Sequence, residues 1–127
     1  MSYTIAVAGK GGTGKTTFLK NLPLKTYKRM VVVAPTGVAA INAGGQTIHS
    51  FFHFDLMPYI PGKKTDISGM TSAKIETINR LKTIIIDEIS MVRADILDRI
   101  DATLRAVRKD TRPFGGIQMV LIGDLRQ

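Results

Sequence analysis

Cysteine is absent from the 127 residues. That excludes a disulfide-stapled scaffold, a thiolate metal site and a cysteine nucleophile, and it fits a reducing compartment. Aromatic residues are scarce, at 6% of the chain against 44% hydrophobic and 22% charged residues. Such a balance belongs to a globular protein, not a disordered one. Long apolar runs are missing too. Met30–Ala34 and Ile117–Ile122 fall far short of the roughly 20 residues that span a bilayer. The chain does not start with a basic region followed by a long apolar stretch, so no signal peptide is read there. A soluble intracellular protein is expected, cytoplasmic, or nuclear or mitochondrial in a eukaryote. Acidic residues are in deficit, with 10 Asp and Glu against 18 Lys and Arg and a formal net charge of +8. This surplus has two readings, a polyanionic partner or a solvated basic surface that aids solubility. The basic residues are spread over Lys20–Arg29, Lys63–Lys64, Lys74–Lys82 and Arg99–Arg112 instead of forming one block. At this length a single domain over residues 1–127 is expected, with enough chain to bury a core.

Four apolar segments of strand length stand out: Tyr3–Ala8, Met30–Ala34, Thr83–Asp87 and Gln118–Ile122. They run without polar alternation, as strands buried on both faces of a parallel sheet do. Between them the spacing becomes helical. A helix is expected from Gly14 or Lys15 to about Leu22, where Pro23 stops it. A second covers Ala73–Leu81, with Ile75, Ile78 and Leu81 inward and Thr71 or Ser72 as N-cap. A third covers Asp95–Arg108, with Leu97, Ile100, Leu104 and Val107 in one stripe. Asp95 with Arg99 and Asp101 with Arg105 form i,i+4 pairs on its wet face. Leu56–Met70, with two prolines and two glycines, reads as an exposed loop. Strand–helix alternation of this kind predicts a doubly wound α/β sheet.

Gly9-Lys10-Gly11-Gly12-Thr13-Gly14-Lys15-Thr16 fits the phosphate-binding pattern GxxxxGK(S/T) at every position. Glycines let backbone N–H groups close around a phosphate, and the following helix turns its positive end to the same anion. Gly9, Gly11, Gly12, Thr13, Gly14, Lys15, Thr16 and Thr17 are therefore the candidate nucleotide cradle, taking ATP. Lys15 reaches the β- and γ-phosphates, and the Thr16 hydroxyl binds Mg²⁺. The metal needs a second anchor, usually an acid ending a neighbouring buried strand. Asp87 fits that role, with Glu88 orienting and deprotonating the attacking water. Gln127, after the last strand, can sense the γ-phosphate or position that water; its plain reading is an exposed terminal residue.

With the phosphate loop, Ala34-Pro35-Thr36-Gly37-Val38-Ala39-Ala40, Thr47-Ile48-His49-Ser50-Phe51, Asp87-Glu88-Ile89-Ser90-Met91 and Gly123-Asp124-Leu125-Arg126-Gln127 stand in order. In this the chain resembles the first RecA-like motor domain of the PIF-type DNA helicases, in the RecD-like branch of superfamily I. Pro113-Phe114-Gly115-Gly116-Ile117-Gln118 adds to the likeness. The resemblance implies a P-loop NTPase fold, a RecA-like three-layer α/β sandwich with a mainly parallel sheet, incomplete relative to a full helicase domain. It also implies ATP-dependent DNA unwinding by the parent protein, with roles in DNA repair, recombination and telomere maintenance. Pro35, Thr36 and Gly37 (motif Ia) and Thr47, His49, Ser50 and Phe51 (motif Ib) would line the path of single-stranded DNA. Loop-tip amides and hydroxyls can hold phosphates there, while His49 or Phe51 offers a ring to a base.

Plainer readings stand beside these. Val38–Ile41 can be a short core helix, at least two of Phe51, Phe52 and Phe54 are expected to be packing residues, and His49 can be a structural histidine. No zinc site is expected. The family continues past the position of Gln127 into a Leu-Pro-Pro turn and a second RecA-like domain with an arginine finger. The chain alone is thus expected to bind Mg·ATP, hydrolyse it weakly and not unwind DNA, and an exposed sheet edge offers a route to self-association. Two other readings remain. Lys10 to Thr17 also resembles the deviant phosphate loop of the MinD/ParA-like dimeric ATPases, although Pro35-Thr36-Gly37 stands where those carry a switch aspartate. The chain can also be a nucleotide-binding fold without turnover.

Overall fold

Apolar β-branched runs bounded by Pro, Gly and Asp set the strands, and all of those described are parallel. The computed structural model describes residues 29–54 and 67–123. β1 (Met30–Ala34) leads into helix α1 (Gly37–Ala43), the two-residue strand β2 (Gln46–Thr47) and the short helix α2 (Ile48–Phe52). Helix α3 (Ser72–Arg80), strand β3 (Thr83–Ile86), helix α4 (Ala94–Arg108) and strand β4 (Gln118–Leu121) follow, with 3-10 turns at Ile89–Met91 and Pro113–Gly116. The sheet order is β2-β1-β3-β4, and every pairing in it is parallel. This is the α/β architecture expected from the sequence. The expected first strand, Tyr3–Ala8, and the helix after it lie outside the described residues.

Both sheet faces are covered, which is why the strands show no polar alternation. Val33, Ile84, Ile86 and Met119 pack on one face with Ile48, Phe51, Phe52, Ile78, Ile100, Leu104 and Val107 from the helices. Val32, Ile85 and Ile122 form a separate cluster on the other face, joined by Met30, Ala43 and Val120. The side-chain period of two assigns alternate residues of each strand to the two layers.

The helices keep to their sequence signals within a residue. α3 begins where the Thr71 hydroxyl accepts the Lys74 N–H at 3.1 Å, and it buries Ile78. α4 starts at Ala94, one residue early, and buries Ile100, Thr103, Leu104 and Val107. Asp101 and Arg105 form the expected pair at 2.9 Å. Asp95 is gripped by Arg93 at 2.6 Å, while Arg99, its expected partner, lays its guanidinium over the Phe54 ring, 4.3 Å from the centroid. Most of the loop expected over Leu56–Met70 lies outside the described residues. At its end Ile67 and Met70 pack against the core, so that part is not simply exposed. Among the described residues no helix is long and apolar enough to cross a membrane.

Candidate nucleotide and nucleic-acid site

Parallel pairing brings the carboxyl ends of all four strands to one edge, where ligands of open α/β sheets bind. Asp87 directly follows β3 there. Its backbone N–H still bonds to Val33 O at 2.9 Å, so β3 remains paired with β1 up to the acid. The residue is 5% exposed, and Oδ1 accepts the Glu88 N–H at 2.9 Å. Glu88 then takes a left-handed backbone conformation, φ 57° and ψ 47°. A non-glycine residue held there is sparsely populated and stores strain, and such residues cluster at functional sites.

The reversal at Glu88 is held by β4. Ile89 donates its N–H to Ile122 O at 2.9 Å, and Met91 donates to Glu88 O at 3.0 Å. Gly123 makes this close approach possible: a Cβ there would lie 3.0 Å from both the Ile89 backbone nitrogen and Ile89 Cγ2. Asp87 is thus buried and Glu88 half-buried, and the turn that follows is stitched to the next strand at the carboxyl edge.

Beside it, Pro35–Gly37 follow β1, and Thr47–Ser50 follow from β2. Thr36 Oγ1 accepts the Ala39 N–H at 3.1 Å, and Thr47 Oγ1 accepts the Ser50 N–H at 3.1 Å. Both hydroxyls therefore serve as N-caps, and each keeps a proton to donate to a further acceptor. Ala39 and Ala40 are buried, whereas Val38 and Ile41 are 72% and 79% exposed. α1 is thus a short packed helix with an apolar outer face.

Of the two readings open for Phe51, a ring offered to a base and a packing residue, its burial favours the second. Its ring is 2% exposed, packed edge-on against Phe52 at 4.9 Å, and its remaining face lies beneath Lys74, whose Nζ is 4.0 Å from the ring centroid. A ring enclosed in this way cannot stack on a base, so Phe51 and Phe52 are packing residues. His49 is half-buried and meets Phe54 edge-on at 6.0 Å; Phe54 in turn stacks on Phe52 at 5.3 Å. Of the two rings expected to meet a base, only His49 is partly exposed.

Gly9, Gly11, Gly12, Thr13, Gly14, Lys15, Thr16, Thr17 and Gln127 lie outside the described residues. Among those described, no group of three or more His, Cys, Asp or Glu can hold a metal. Asp87 nonetheless offers a buried, hard carboxylate donor of the kind magnesium takes. The sequence alone did not expose the left-handed Glu88, the Lys74–Phe51 and Arg99–Phe54 contacts, or the role of Arg108 described below. Each depends on residues distant in the chain; only the Gly at position 123 hinted at a close backbone approach.

The family model for PIF1-like helicases matches residues 1–127. The ATP-dependent DNA helicase PIF1 of Saccharomyces cerevisiae is 35% identical over 131 residues, covering 98% of this chain and 15% of that protein. The human protein of the same name is 36% identical over 129 residues, covering 98% of this chain and 19% of its own length. Bacteroides sp Pif1 in complex with ADP-AlF4 superimposes with a TM-score of 0.88 at 49% identity, over 99% of this chain and 29% of that one. Bacteroides Pif1 bound to ssDNA gives 0.86 at 48% identity, over 99% and 29%. The chain therefore spans less than a third of the solved chains and about a fifth or less of these curated relatives.

Proposed function

Because this chain belongs to the PIF1-like helicase family, we propose that it works as the first RecA-like motor domain of an ATP-dependent DNA helicase. It binds Mg·ATP at residues 9–17 together with Asp87 and Glu88, and single-stranded DNA along Pro35–Gly37 and Thr47–Ser50. The observation that carries this reading is the buried Asp87 followed by a left-handed Glu88 at the carboxyl edge of a parallel sheet. The names of the relatives, and the nucleotide analogue and single-stranded DNA named with two of the solved structures, support it. A match to this family over residues 1–127 also speaks against the MinD/ParA-like reading.

Magnesium, when bound, neutralises charge on the β- and γ-phosphates. The chain's own groups do the rest. Asp87, fixed by the amide of Glu88, is the carboxylate that would hold the cation with the Thr16 hydroxyl. Lys15 places its ammonium against the β- and γ-phosphates. Glu88, its backbone fixed by the Ile89–Ile122 bond, orients the attacking water and accepts its proton. Gln127 reports on the γ-phosphate. His49 and the Thr36, Thr47 and Ser50 hydroxyls hold the strand. These residues carry the motifs of one motor domain. By themselves they are expected to bind Mg·ATP, turn it over slowly and not unwind DNA, because translocation closes two such domains on the nucleotide.

The test is phosphate release by the chain under single-turnover conditions, with and without an oligonucleotide. Release that DNA stimulates and that Glu88→Gln abolishes, with nucleotide affinity retained, is the expected result. Nucleotide binding with no release at all would leave the alternative of a fold that binds without turnover. Release undiminished in Glu88→Gln would refute the role of that acid.

A further inference from the structure

Helix α2 is five residues long, yet the Phe51 that it buries is covered on its outer face by a cation from another helix. Lys74 stands in the first turn of α3. That end of α3 lies toward the carboxyl edge of the sheet, because the helix runs back to the start of β3 through Leu81 and Lys82. The Lys74 ammonium sits 4.0 Å over the Phe51 ring centroid, and Phe51 adjoins Ser50 of the strand path proposed above. Burial alone pushes the Lys74 pKa below the usual lysine value. Among the described residues no carboxylate lies within 4.0 Å of its ammonium.

A lysine on a surface is ordinarily free to sample many rotamers and to stay in water. Here a ring quadrupole holds the ammonium in one place and part of its hydration is removed, with no carboxylate among the described residues taking up the charge. An ammonium keeps three donors and no acceptor, and as a compact point charge it suits a phosphate oxygen. Arg99 over Phe54, 4.3 Å from the centroid, places a second cation on a ring of the same aromatic cluster. We infer that Lys74, seated on Phe51, is a phosphate contact of the nucleic-acid path, and that Phe51 serves as its seat and not as a platform for a base. This rests on the reading of Thr47–Ser50 as part of that path.

The experiment is fluorescence anisotropy of a labelled oligo(dT) titrated with the chain across a salt series, for the wild type, Lys74→Met and Lys74→Arg. Methionine keeps an unbranched stem and a sulfur contact to the ring while removing the charge. Losing one phosphate contact on a single strand lowers the slope of log K against log salt by about 0.7, which is roughly fivefold in affinity at 0.1 M salt. Lys74→Met should show that loss, and Lys74→Arg should bind within about twofold of wild type. Phe51→Leu should weaken binding as well, and adding Lys74→Met to it should cost less than it does in the wild type, since the two act as one unit. A salt slope unchanged in Lys74→Met, or equal losses in Lys74→Met and Lys74→Arg, would overturn the inference and leave the cation as a clasp between helices. A wild-type chain whose binding shows no salt dependence would overturn the strand path itself and the Lys74 contact with it.

Discussion

Removing the guanidinium of Arg108 should destabilise this fold by more than a typical surface substitution does. Arg108 ends α4, and its Nε donates to Gly115 O at 2.7 Å. Its Nη1 faces the carbonyls of Ile78, Asn79 and Leu81 at 3.0, 3.2 and 3.2 Å. Those three carbonyls belong to the last turn of α3 and its C-cap, where helix carbonyls run short of backbone partners; Ile78 O also accepts the Leu81 N–H at 3.2 Å. One nitrogen with two protons cannot serve three acceptors fully, so the side chain makes about three bonds in all. Hydrogen bonds from a charged donor contribute about 1.5–3 kcal/mol each when protected. Water can reach this group, so about 1 kcal/mol each, or about 3 kcal/mol for Arg108→Ala, is the working figure. With a urea slope of about 1.5 kcal/mol per M, the midpoint should fall by about 2 M. Arg108→Lys should recover less than half of that, because a point donor cannot span Gly115 and α3 together. The third anchor of the region, Asp101, accepts the Phe114 N–H at 2.6 Å and stays in place in both variants. Urea unfolding followed by circular dichroism measures the shift. A fall below about 0.5 M, or full rescue by lysine, would show that water replaces these bonds and refute the reasoning.

Two further outcomes follow from the same geometry. Gly123→Ala should push the Ile89 turn, and Glu88 with it, by a few tenths of an ångström. Single-turnover phosphate release should then fall about tenfold while nucleotide affinity changes less than twofold; an equal loss of affinity would place the effect elsewhere. Asp95 and Asp110 are held below the ordinary carboxylate pKa, first by side-chain hydrogen bonds from Arg93 and Arg112 respectively. Because the folded state prefers their charged forms, their contribution is complete above the ordinary carboxylate pKa and is lost as pH falls through the lower folded values. Urea midpoints from pH 7 down to pH 2 should decline on the acid side, and Asp110→Asn should flatten that decline. An unchanged acid limb in the variant would count against the pairing.

Which of these features the sequence declares depends on how local their causes are. Met30–Ala34, the Thr71 cap and the stripe of Ile100, Leu104 and Val107 are set by neighbours within one or two turns, so their spacing shows in the chain itself. The acid pair after β3 is also legible, because a short β-branched run of Thr-Ile-Ile-Ile ending in Asp-Glu reads as a buried strand emerging at an edge. Phe51 was not legible in the same way. Thr47-Ile48-His49-Ser50-Phe51 leaves a packing and a base-facing ring equally open, and nothing local says that Lys74 covers it.

The amino-acid order by itself determined the α/β alternation, the phosphate-loop pattern and the acids available to it, because these follow from short-range periodicity and residue chemistry. The tertiary structure alone decided that Glu88 adopts a left-handed backbone pinned through Ile122. It also decided that Arg108 ties α4 to the end of α3, and that the ring of Phe51 faces a lysine 23 positions away in the numbering. Each of these joins segments far apart in the chain, and such contacts take form only when packing of both sheet faces brings those segments together.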